Sequence, residues 1–172
     1  MVNYSGMEMM DYVDDDDQVV GQASKKEVYA RALTHRIAHI WIFNDAGEVA
    51  LQKRSASCNY CPLHWSMSAA GHVDAGESYE TAALRELQEE MGVELPIMFV
   101  TKTSFVDPRG IKKFIGVYAA RSNGPFTLSP DEVDQVQWFS RVETERLLQD
   151  EPCHPQLTFV LQHFGDQLWP LK

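Results

Sequence analysis

GHVDAGESYETAALRELQEEMGV, residues 71–93, carries the reading of this chain. Ala82, Ala83, Leu87 and Met91 recur at helical spacing, which predicts a helix over Ser78–Met91 with Gly92 as its stop. Glu86, Glu89 and Glu90 stand at i, i+3 and i+4, so three carboxylates project from neighbouring positions of one helix face. Like charges this close cost stability unless a cation neutralises them, and Arg85 can pair with only one or two. Hard divalent ions such as Mg²⁺ are held by carboxylate oxygens, water and substrate phosphate, which is the chemistry such a face offers. The preceding loop holds Gly71 and Gly76, residues that permit tight turns and close backbone approach. A solvated acidic helix beside an ordinary loop is the plain alternative.

Outward from this segment the chain reads as one domain of 172 residues with 44% apolar and 23% charged residues, a globular composition. Residues 1–17, MVNYSGMEMMDYVDDDD, are expected to be a disordered acidic leader, with Asp14–Asp17 a solvated charge cluster. They lack the basic-then-apolar order of a signal peptide, and no apolar run approaches the ~18 residues of a membrane helix. A cytoplasmic protein is expected. Lys+Arg 15 against Asp+Glu 25 gives a net charge of −10, which opposes generic binding to nucleic acid or anionic membranes. An anionic substrate would need a metal ion or a few placed cations.

From residue 18 the pattern is regular. Strands are predicted at Gln18–Ser24, His35–Phe43, Glu48–Arg54, Ile97–Val106, Ile111–Ala120 and Asp131–Phe139. Helical segments are predicted at Lys25–Ala32, Val142–Gln149 and Leu157–Leu168, and a loop at Ser55–Leu63. Strands outnumber helices and are mostly hairpin-connected, which favours a mixed sheet flanked by helices. Cys58, Cys61 and Cys153 cannot all pair, which fits a reducing compartment. Cys58 and Cys61 have the spacing of half a zinc site but are read as two thiols in a loop.

The spacing around the acids is specific. Gly71, five residues, Glu77, seven residues, then Arg85-Glu86-Leu87-Gln88-Glu89-Glu90-Met91-Gly92-Val93 match every fixed position of the Nudix box. At average usage a chance match has odds on the order of one in a million. The chain is therefore identified as a member of the Nudix superfamily. The wider pieces VVGQASKKEVYARALTHR, IWIFNDAGEVALQKRS, CPLHWSMSAAGHVDAGES and GPFTLSPDEVDQVQWF resemble the branch related to isopentenyl-diphosphate isomerase.

This resemblance implies an α/β/α sandwich with a mixed β-sheet over residues 18–172. It implies Mg²⁺ or Mn²⁺ held by Glu86, Glu89, Glu90 and the backbone carbonyl of Ala70, with Arg85 and Glu77 bracing the loop by pairing. Gly71, Gly76 and Gly92 become structural loop positions. The implied reaction is attack of metal-activated water on a small-molecule diphosphate, typically a nucleoside diphosphate linked to another group. Glu132 falls where some members carry an extra acid, although a strand-edge glutamate is the plainer reading. His35 and His72 fall where isomerases place metal-binding histidines, but are read as hydrogen-bonded structural residues. Lys53, Arg54, Lys112 and Lys113 could meet phosphates or, as strand-edge cations, discourage aggregation. Trp41, Trp65 and Trp138 are read as packing residues.

The isomerase itself is disfavoured. It places a cysteine at Ala70, acids at Ile111 and Lys113, and a third histidine near Val28. A non-catalytic Nudix-fold binding module ranks third, because such modules usually lose the box glutamates. The oligomeric state is open, a homodimer included.

Overall fold

The computed structural model describes residues 8–169. Two strands, β1 (Met9–Val13) and β2 (Val19–Ser24), lead into the short helix α1 (Lys25–Ala30), which starts on a Ser24/Glu27 capping box. β3 (His35–Phe43), β4 (Val49–Arg54), β5 (Trp65–Ser66) and β6 (Ala69–His72) precede α2 (Tyr79–Met91). β7 (Ile97–Val106), β8 (Lys112–Arg121) and β9 (Val133–Phe139) follow, and α3 (Arg141–Asp150) and α4 (Pro155–Leu168) end the described chain.

β3 organises the molecule because it is buried on both faces, and six of its nine residues are apolar. Ile37, Trp41 and Phe43 enter one core with Leu147 of α3 and Leu157, Val160 and Leu168 of α4. Ala38, Ile40 and Ile42 enter the other with Ala82, Ala83, Leu87 and Met91 of α2. This period of two is the strand's own geometry, and it sandwiches the sheet between helical layers. Fully burying a Leu or Met stabilises by about 1.5–3 kcal/mol, so Leu87 and Met91, both 0% exposed, fasten α2 to the sheet.

β8 lies parallel to β3 along its whole length, and β7 is antiparallel to β8. The other edge of β3 is shared, by β1 at His35, by β6 from Ile37 to Ile40 and by β4 at Ile42 and Phe43. β9 and β5 flank β4, and β2 flanks β1, completing one mixed nine-stranded sheet. No helix among the described residues is long and apolar enough to cross a membrane.

The expected elements all form, with ends displaced by a residue or two. Three strands escaped the sequence pattern. β5 has two residues, and β6 (Ala-Ala-Gly-His) lacks β-branched side chains and is a strand because it completes the edge of β3.

The third is a correction to the leader. Residues 1–7 lie outside the described residues, but 8–17 are folded rather than frayed. Met10 is 0% exposed in β1, packed with Ala23 and Val28. Asp14, Asp15 and Asp16 are exposed as expected, but Asp17 is 5% exposed. It accepts from Arg36 Nε (2.7 Å), Lys102 Nζ (2.7 Å) and the Tyr79 hydroxyl (3.1 Å). Burial alone would raise its pKa, but the bonds from Lys102 and Arg36 outweigh that and hold the carboxyl below its usual value.

Candidate active site

Ser78 caps α2 by accepting from the Thr81 amide at 3.1 Å, and Gly92 ends it in the left-handed conformation at φ 64°. Gly76 is likewise left-handed, at φ 80°. Gly71 has a different reason to be glycine: a Cβ there would stand 2.0 Å from the Glu86 carboxyl carbon. The missing side chain is the space the carboxylate fills.

Glu86 and Glu90 are 8% and 5% exposed, while Glu89 is exposed. The Glu90 carboxylate accepts from Gln52 Nε2 on β4 and, at 3.4 Å, from the Ala70 amide on β6. Two acids of α2 thus converge on the Ala70–Gly71 backbone. Burial pushes Glu86 up to about 7, with Arg85 opposing and Glu89 and Glu132 adding to the rise. Glu90 is raised too, by burial and then by Glu86.

Arg85 holds the loop to the helix. Its Nε and Nη2 grip both oxygens of Glu77 at 3.0 and 2.9 Å, and Nη2 also donates to the His72 carbonyl at 2.9 Å. Nη1 reaches Glu86 at 2.7 Å and Glu89 at 3.3 Å. These bonds, the pair with Glu77 first, raise the guanidinium pKa and lower that of Glu77. Such a two-pronged grip fixes geometry as well as charge.

Arg85, Glu86, Glu89, Glu90 and residues 70–72 of β6 open onto a cleft of about 610 Å³, within the range of small-molecule sites. Glu132 lines it beside Asp131, and burial and then Glu89 raise its pKa. The cleft is lined as well by Tyr29, Tyr60, His72, Arg109, Lys113, His154 and Gln156. His72 Nε2 bonds the Tyr29 hydroxyl at 2.7 Å, and its ring stacks on buried His35. His35 bonds the Leu33 carbonyl through Nδ1, and burial lowers its pKa to about 4. Both histidines are therefore hydrogen-bonded, as the sequence reading expected.

Lys113 is a correction: it lies on a central strand, 3% exposed, and is not a strand-edge lysine. Trp41 and Trp65 pack in the core, and Trp138 is half-buried against Phe126. The cysteines are free and half-buried. Sequence reasoning missed Arg109, Asp107, Tyr29 and Tyr60. Asp107-Pro108-Arg109-Gly110 is a short connection between two strands, and nothing local in it points to the cleft.

The donor set suits a hard divalent cation. Oxygen atoms alone are offered, and two of the carboxylates are buried beside each other with raised pKa values. Among the described residues no three acid, thiol or imidazole groups converge in a ready-made coordination sphere. Arg85 draws Glu86 and Glu89 one way, and Gln52 draws Glu90 another.

This loop–helix on a mixed sheet between helical layers is that of a family of hydrolases. Residues 33–159 match the NUDIX domain, and the chain belongs to that family. An uncharacterised Nudix hydrolase of Streptomyces coelicolor is 40% identical over 136 residues, 78% of this chain and 74% of its own. One of Pseudomonas aeruginosa is 33% identical over 78% of this chain and 79% of its own. A Photorhabdus laumondii protein named isopentenyl-diphosphate Delta-isomerase 2 is 29% identical over 84% of each chain. Among solved structures, DR0079 of Deinococcus radiodurans superposes with a TM-score of 0.80 at 26% identity, covering 90% of this chain and 98% of its own.

Proposed function

We propose that this Nudix hydrolase cleaves a small-molecule diphosphate with the help of Mg²⁺ or Mn²⁺. The observation that carries the reading is the pair of buried carboxylates, Glu86 and Glu90, each set against the Ala70–Gly71 backbone on the wall of an open cleft. Glu86, Glu89, Glu90 and the Ala70 carbonyl would hold the cation. Such an ion supplies neutralisation of the phosphate oxygens and a more acidic water.

The chain's own groups do the rest. Arg85, gripped by Glu77, sets the helix acids against the loop. Glu132, which lines the cleft, would take the proton as water oxygen bonds to phosphorus and the bridging P–O bond breaks to release the leaving group. Three free cysteines accord with action in the cytoplasm.

The Photorhabdus relative favours a second reading, the isomerase, which needs an acid and a base flanking an alkene. Ala70 has no proton to transfer. Ile111 is buried, and the Lys113 ammonium points its charge at Asp107 rather than serving as a carboxylate would.

The test is phosphate release across a library of diphosphates with Mg²⁺, alongside isopentenyl diphosphate followed by NMR. Hydrolysis abolished by Glu89→Gln supports the proposal. Isomer formation at enzymatic rates, lost in the same variant, would overturn it.

A further inference from the structure

The same cleft also holds positive charge with few counter-ions. The Lys113 ammonium reaches a single carboxylate oxygen, Asp107 Oδ2, at 3.4 Å. That carboxylate is already engaged by Arg109, through Nε at 3.1 Å and Nη2 at 2.7 Å, and by the amides of Arg109 and Ile111. Two cations therefore share one anion. Arg54 lines the same cleft within reach of both groups: its Nε donates to the uncharged Tyr60 carbonyl at 3.1 Å, and its charge also acts to lower the pKa of Glu90 and Glu132.

A buried ammonium costs several kcal/mol unless it is well paired, and a purely structural one is normally surrounded by acceptors. Lys113 has instead the Tyr29 ring at 5.4 Å and neutral histidines. Burial keeps His35, His39, His72 and His154 below their usual pKa, and Lys113 reinforces this in each. The Arg109 guanidinium is fixed in place by the rings of Tyr29 at 5.0 Å and Tyr60 at 4.4 Å. Lys113, Arg109, Arg54, Tyr29 and Tyr60 come from β8, the β7–β8 turn, β4, α1 and the 55–64 loop. All five line the cleft.

We propose that this floor is an anion subsite, in which Lys113, flanked by Arg109 and Arg54, receives a second negatively charged group of the substrate, a phosphate or a carboxylate. Resting on the hydrolase reading, this narrows the substrate to diphosphates whose other half carries a further anion. The cleft then has two unlike ends. Carboxylates act on the scissile diphosphate through a cation, and fixed cations orient the remote group directly. It also answers how a chain of net charge −10 can hold a polyanion.

The test is calorimetric titration of the full chain with sodium phosphate and with sodium acetate, in EDTA at constant ionic strength. Neither turnover nor a divalent ion is involved, so a failed hydrolase assay leaves this result standing, and the reverse holds as well. The wild type should bind an anion, the tighter of the two naming the group. Lys113→Met should weaken binding at least tenfold, whereas Glu89→Gln should leave it unchanged or tighter. Hydrogen exchange of the wild type with and without phosphate gives a reading that needs no variant: protection should appear across residues 107–113. Absence of binding, weakening by less than threefold in Lys113→Met, or protection confined to other segments would each overturn the proposal.

Discussion

The two sides of the cleft hold their charge in opposite ways. Glu86, Glu89 and Glu90 ride on one helix, with Arg85 as the cation shared by the first two and no ion pair at Glu90. Lys113 and Arg109 come from a strand and a turn, and Asp107 is their shared anion. Each side therefore carries a surplus of one sign in a partly dry place, where an unpaired charge is costly. The contrast teaches that each wall is left short of the opposite charge, which a cation on one side and an anion on the other would supply.

The largest expected effect breaks the acidic side. Glu89→Gln and Glu90→Gln should each lower kcat/KM by more than about 100-fold, above the upper end for residues that merely support metal ligands. Glu90→Gln should also raise the Tm measured by calorimetry in EDTA, because it removes a buried charge next to Glu86. Full turnover in both variants would end the assignment of these acids.

Arg85→Ala comes next. It strips Glu77 and Glu86 of their partner, and at a position with 26% of its side chain exposed the loss should be about 2 kcal/mol, between the surface and buried limits. For a chain of this size that is a Tm drop of roughly 4–8 °C, with turnover down at least tenfold. Retained stability would mean the grip on Glu77 is ornamental.

Gly71→Ala separates function from stability. Its Cβ would meet only the movable end of Glu86, and no left-handed backbone is involved. Activity should fall at least tenfold while urea unfolding shifts by less than about 1 kcal/mol. A loss of stability as large as that of Arg85→Ala would show the glycine serving the backbone instead.

The smallest effect concerns the cationic side. Burial, reinforced by Arg54, His39 and Lys113, lowers the His154 pKa to about 3, and its neutral Nδ1 accepts from the Gln156 amide. A folded pKa below the unfolded ~6.5 gives stability that is whole above pH 6.5 and drains as the pH falls toward 3. His154→Ser keeps a capping oxygen and should flatten the acid limb of a pH–stability curve by at most about 1.4 kcal/mol per pH unit. An unchanged limb would mean the histidine titrates normally and the floor is wetter than its burial indicates.

The acidic side was legible in the chain because its geometry is local. Glu77, Arg85, Glu86, Glu89 and Glu90 fall within one loop and helix, where residue spacing dictates which side chains meet. The β-rich run of β3 and the helical spacing of α2 were legible for the same reason. Tertiary structure decided the rest. Met9–Val13 is a strand because β2 and His35 pair with it, and Asp17 is an anchor because Arg36, Lys102 and Tyr79 arrive from distant segments. Lys113 sits on a cleft floor only because β8 is inserted between β3 and β7. Spacing along a chain records contacts within a few residues, whereas a charge's burial and partners depend on which strands are neighbours, and no short stretch of residues encodes that.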